Sequence, residues 1–98
     1  MKINVYMDDA RTPCQALYIP DPYWVVVRTV QDTKVLLSAG IVENMSLDHD
    51  MGSQDTGHDL LKWMEENDIW PSGNISVHTM NPVGRANMLA VLKKHYES

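Results

Sequence analysis

Two short apolar runs in this chain end in acids, and that coincidence limits its folding options more than any other feature. Ile3-Asn4-Val5-Tyr6-Met7 leads into Asp8-Asp9, and the run over residues 42–47 leads into Asp48-His49-Asp50, followed by Met51-Gly52. Like charges at close range raise one another's pKa unless a cation or a phosphate partner offsets them. Two acid-terminated strands therefore suggest neighbours that deliver their carboxylates to one edge of a sheet. Side chains alternate along a strand, so Asp48 and Asp50 share a side if the strand continues. Beyond the strand end, a turn can aim all three ionisable groups into one crevice.

The remainder of the chain supplies matching parts. Residues 10–23 carry Pro13, Pro20 and Pro22, too many for a regular helix, and are expected to form a loop with at most one helical turn near residues 14–17. Trp24-Val25-Val26-Val27-Arg28 reads as a second strand. Asp32 or Thr33 is the expected cap of a helix that runs to about Ala39 and stops at Gly40. Residues 42–48 form the third strand. Asp55 or Thr56 caps the next helix, with Leu60, Leu61 and Met64 as its packing face and Trp63 on the flank. Residues 74–79 form strand four. Asn81 then caps a last helix that begins at Pro82 and carries Met88, Leu89, Leu92 and Tyr96 as its apolar stripe.

Strands alternating with helices predict an α/β fold with an open parallel sheet of about four strands and about three helices. In such sheets ligands bind outside the carboxyl ends of the strands. Asp8/Asp9, Arg28/Thr29, Asp48–Asp50 and residues 78–81 all fall there, which makes that edge the candidate site.

Composition narrows the function classes. A chain of 98 residues reads as one domain, 1–98, and its 44% hydrophobic and 21% charged residues fit a globular protein. A net charge of -5 offers no basic face for extended nucleic acid. Cys14 is the only cysteine, so no internal disulfide is possible. No run approaches the ~18 apolar residues of a membrane span, and no signal peptide opens the chain, so a cytoplasmic, non-membrane protein is expected.

The motifs resemble the receiver domain of two-component signalling: the pair Asp8-Asp9, Val30-Gln31-Asp32 leading into a helix, Leu47-Asp48 closing strand three, and Gly57-His58-Asp59-Leu60-Leu61 opening the following helix. That resemblance implies a flavodoxin-like fold, Mg²⁺ on the acidic pair and phosphoryl chemistry at Asp48. The chain ends before a fifth strand with its lysine, and a proline-rich loop stands where a receiver has its first helix. These departures, with Asp8-Asp9-Ala10-Arg11-Thr12-Pro13 and Leu47-Asp48-His49-Asp50-Met51-Gly52, resemble a receiver-like family named for cyclic-phosphate processing. This implies hydrolysis at a cyclic phosphate, a small nucleotide or an RNA end, linked to RNA repair and nucleotide-based conflict systems; a short chain of this kind can be bacterial or phage-encoded.

Each candidate residue also has a chemical reading of its own. Asp8, Asp9 and Asp48, with Asp50 either completing the set or capping the Gly52 turn, suit a divalent metal: Mg²⁺ by their oxygens, Mn²⁺ or Zn²⁺ if histidine joins. His49 and His78 are expected at the ends of adjacent strands, where with Asp48 they can serve as catalytic acid and base, or be satisfied by backbone groups. Arg11 and Arg85 are the expected phosphate clamps, although Arg11 can also neutralise the acidic pair. Asn81 contributes as cap first and ligand contact second. The expected partner is a small phosphorylated ligand or a terminal phosphate of nucleic acid. A metal-dependent phosphodiesterase or phosphatase is the leading reading. A binder that sequesters the same ligand, or a signalling module phosphorylated at Asp48, are the alternatives.

Overall fold

The computed structural model describes residues 2–12, 24–52 and 55–97. The helical turn expected near residues 14–17 lies outside them. Among the described residues there are four strands, β1 (Ile3–Met7), β2 (Val25–Val27), β3 (Val42–Leu47) and β4 (Ile75–Val77). Three helices accompany them, α1 (Val30–Ser38), α2 (Gly57–Asn67) and α3 (Pro82–Glu97). The sheet order is β2-β1-β3-β4 and every pairing is parallel. This is the receiver-like α/β topology expected, with the two acid-terminated strands β1 and β3 as central neighbours.

Register sorts the strand side chains by face. Val5 pairs with Val25 and Met45, and Met45 with Ile75. Val5, Met7, Val27, Met45, Leu47 and Val77 merge with Val30 and Leu37 of α1, Leu60, Leu61 and Met64 of α2, and Met88, Val91 and Leu92 of α3 in one buried cluster. The three helices therefore share one face of the sheet. The alternate residues Asn4, Tyr6, Asn44, Ser46 and Ser76 occupy the other face. There Tyr6 pairs with Ser46 and Ser46 with Ser76. The Asn44 amide donates to the Asn4 side-chain oxygen at 3.1 Å and accepts the Asn74 backbone N–H at 2.8 Å. Among the described residues this second face is mostly polar, with Val26 beside Tyr6 and Trp24 edge-on to the Tyr6 ring.

Helix starts follow their caps. Thr56 and Asp59 form a reciprocal capping box at α2, which satisfies two end donors at once. Asn81 accepts the Gly84 N–H at 3.0 Å at the start of α3, as expected. Helix α1 departs from expectation: it begins at Val30, capped by Thr29, whose hydroxyl accepts the Asp32 N–H at 3.1 Å. Asp32 is thus in the first turn, where a carboxylate still complements the helix dipole. The stripe of α3 is also rotated from expectation. Met88, Val91 and Leu92 are buried, whereas Leu89 and Tyr96 are 43% and 50% exposed. The helix turns toward α2 and β4, and the Tyr96 hydroxyl donates to the Gly73 carbonyl at 3.5 Å. No helix of the described residues is long and apolar enough to cross a membrane.

Candidate active site

Asp8 is fully buried at the end of β1, and among the described residues its carboxylate receives five donors. Its Oδ1 accepts the backbone N–H groups of Ala10 (2.9 Å) and Arg11 (2.8 Å), which fold the chain into a turn around the carboxylate. Its Oδ2 accepts the Tyr6 hydroxyl (3.2 Å), Arg11 Nε (3.0 Å) and His78 Nε2 (3.1 Å). Burial by itself would raise the Asp8 pKa. The amides of Arg11 and Ala10, the Arg11 guanidinium and the Tyr6 hydroxyl outweigh it and hold the carboxyl below its ordinary value. The same burial, with the Asp8 charge beside it, pushes the Tyr6 phenol up.

His78 closes β4 and lies flat on Tyr6, with ring centroids 4.4 Å apart and planes 7° apart. Asp8 can only accept from Nε2, so Nε2 carries the proton and Nδ1 takes the Ser46 hydroxyl at 2.7 Å. Burial lowers the His78 pKa, and the hydrogen bond and charge of Asp8 offset this only in part. The imidazole is therefore neutral near pH 7. The Ser46 hydroxyl can also accept from Nδ1–H, the tautomer that a cation placed between Nε2 and the carboxylates would favour.

Asp48, at the end of β3, is 6% exposed and accepts the His49 N–H at 2.8 Å through Oδ1. Arg11 Nη2 stands 3.8 Å from that oxygen and donates to the His78 carbonyl at 3.2 Å. The guanidinium thus spans Asp8, Asp48 and the end of β4. Arg28 Nη1 supports the turn from below, donating to the carbonyls of Asp8 (3.1 Å) and Arg11 (2.8 Å).

A second cluster sits beside the start of α3. His49 Nδ1 and Asp50 are 2.8 Å apart, and Asn81 Nδ2 donates to the same Asp50 carboxylate at 3.3 Å. The His49 hydrogen bond, then Asn81, lowers the Asp50 pKa. The His49 ring packs so closely on Gly84 that a Cβ there would overlap it. Arg85 Nη1 donates to the Val77 carbonyl at 2.9 Å, so both arginines named from the sequence bond consecutive carbonyls at the end of β4. Asp9 is exposed, its carboxylate beside Gly52, whose φ of +65° suits a residue without Cβ.

Of the residues named from the sequence, Asp8, Asp48 and His78 converge, each offering a ligand atom within 4.8 Å of the others. Two carboxylate oxygens and an imidazole nitrogen are a donor set for a divalent ion, with the nitrogen bringing Mn²⁺ and Zn²⁺ into range beside Mg²⁺. In ligand type and separation these residues fit such an ion. His49, Asp50 and Asn81 form their own group, Arg11 belongs to the carboxylates, and Asp9 lies at the rim. Sequence reading did not single out Tyr6 and Ser46. The signal was available: each stands two residues before its strand's terminal aspartate and so shares its side.

A pH prediction follows for the metal-free protein. With the folded pKa of His78 below the ordinary 6.5, the unfolded chain binds more protons in the interval between the two values. Stability is then complete above about pH 7 and falls as the pH drops through 6.5. A second loss follows below 3.8, as Asp8 is protonated. Urea midpoints measured with chelator at pH 7 and pH 5 should fall on acidification, and the upper step should be missing in His78→Gln.

An open parallel sheet with carboxylates at the ends of two central strands defines a receiver-like α/β protein. A model of the family described as the cyclic-phosphate processing receiver domain matches residues 3–94, and the chain belongs to that family. No curated protein and no solved structure matches it.

Proposed function

We propose that the chain is a metal-assisted hydrolase that opens a cyclic phosphate, or removes a phosphate from a small nucleotide or an RNA end. The observation that carries this reading is the buried convergence of Asp8, Asp48 and His78 in a chain of this family. Asp8 and Asp48 would hold the ion, with His78 as nitrogen ligand through Nε2 and Asp9 and Asp50 nearer the rim. When bound, a divalent ion supplies Lewis acidity at the phosphate and a more acidic water.

The chain's own groups would do the remaining work. Asp50 accepts from His49 Nδ1, so Nε2 is the ring nitrogen that would take a proton from the attacking water. As the water oxygen bonds to phosphorus, the ester oxygen departs and takes up a proton, giving a phosphomonoester. Arg11 and Arg85 supply guanidinium forks for the phosphate oxygens, and Asn81 holds both Asp50 and the first turn of α3. One observation favours a second reading, a binding module without turnover: both ring nitrogens of His78 already have partners.

³¹P NMR of a 2′,3′-cyclic nucleotide panel with Mg²⁺ or Mn²⁺ separates the two. New phosphomonoester signals that need the metal and fall about 100-fold in rate in His49→Ala support hydrolysis. Substrate signals that broaden without new peaks support the binder.

A further inference from the structure

Arg11 occupies the place where a shared cation would act. Its Nε is 3.0 Å from Asp8 Oδ2, its Nη2 is 3.8 Å from Asp48 Oδ1, and the same Nη2 bonds the His78 carbonyl. These are two of the three residues whose ligand atoms could enclose a metal, and the main chain of the third. We propose that Arg11 is the resident cation of this site, and that its guanidinium and a divalent ion exclude one another between Asp8 and Asp48. The inference rests on the metal reading above and adds to it a competitor built into the chain.

Two observations make the exchange feasible. The first is that Oδ2 of Asp8 serves three donors at 3.0–3.2 Å, more than its two lone pairs can serve well. Charge-assisted bonds with an oxygen to themselves are shorter, about 2.7–2.9 Å. An entering ion takes the place of Arg11 Nε on an oversubscribed oxygen. The second is that the turn does not depend on the guanidinium. The Ala10 and Arg11 amides hold Oδ1, and Arg28 holds the carbonyls of Asp8 and Arg11. The Arg11 side chain, 31% exposed, can leave the carboxylates while its backbone stays in place.

Charge gives the direction of the effect. Two carboxylates with one guanidinium retain a single negative charge. Removing the guanidinium leaves two, which strengthens attraction for a divalent ion and removes its competitor. By linkage, whatever the ion gains from the loss of Arg11 equals what Arg11 loses when the ion binds.

The test is Mn²⁺ binding by calorimetry to wild type, Arg11→Gln and Arg11→Lys, with thermal unfolding of each with and without Mn²⁺. Arg11→Gln should bind Mn²⁺ at least about tenfold more tightly than wild type and gain the larger rise in Tm. Arg11→Lys, which keeps the charge without the fork, should fall between them. If wild type binds Mn²⁺ and Arg11→Gln binds it equally or more weakly, the exchange is wrong while the metal reading stands. If none of the three binds Mn²⁺, the metal reading fails and takes the exchange with it. Should Arg11→Gln be unfolded without metal, circular dichroism during Mn²⁺ addition decides: refolding supports the exchange, and a chain that stays unfolded overturns it.

Discussion

Asp8→Ala is expected to cost the fold about 3–5 kcal/mol, the range for removing one partner from a buried charged network. The change leaves two backbone amides, a phenol, an imidazole N–H and a guanidinium without their shared acceptor. Each buried orphan costs about 1–3 kcal/mol before relaxation. Small domains hold only about 5–15 kcal/mol in total. The variant should therefore be largely unfolded or melt far below wild type, and its ion affinity is then not separable from its fold. A urea midpoint within experimental error of wild type would mean that the turn at residues 8–11 does not need its carboxylate.

Asp48→Asn is expected to do the opposite, sparing the fold and abolishing the chemistry. Among the described residues the Asp48 side chain accepts one backbone N–H, that of His49, and an asparagine side-chain oxygen can still accept it. The loss is a charge that faces Arg11 and belongs to the proposed ion seat. Turnover of a cyclic phosphate should drop at least about 100-fold, within the span seen for positioned catalytic groups, with a stability change of at most about 1 kcal/mol. Rate assays on folded protein, set beside urea melts, read both quantities. Turnover equal to wild type would remove Asp48 from the reaction. The contrast between the two aspartates separates what builds the site from what works in it.

Much of this arrangement was legible in the sequence because it depends on strand ends. Parallel strands put their carboxyl ends at one edge, so any polar residue directly after a strand is a candidate, and Asp8, Asp48 and His78 each follow the last residue of one. What depends on sideways placement was not legible. Ser46 meets His78 only because β3 and β4 pair in the observed register, and neither residue's neighbours in the chain disclose that. The start of α1 was set too late because Thr29, Asp32 and Thr33 all have cap chemistry, and the choice falls to the backbone leaving β2. In α3, Val91 stands three residues after Met88 and Leu89 three before Leu92, so either can extend the Met88–Leu92 stripe. Only the position of α2 and β4 decides that Val91 turns inward and Leu89 outward. From the sequence, Arg11 can neutralise the acidic pair beside it, but nothing there brings it to Asp48. Its reach to Asp48 needs the β1–β3 pairing.

The division of the sheet into an apolar and a polar face has a consequence for how such a chain can change over time. Val5 and Met7 answer to helix packing while Tyr6, between them, answers to the imidazole. Met45 and Leu47 flank Ser46 in the same way. Substitutions that retune the core and substitutions on the face that carries the candidate site can thus accumulate in one five-residue strand without interfering. What cannot drift is the length of the strand. A single inserted or deleted residue would exchange the two sets of side chains, sending the reactive groups under the helices and the core to the other side.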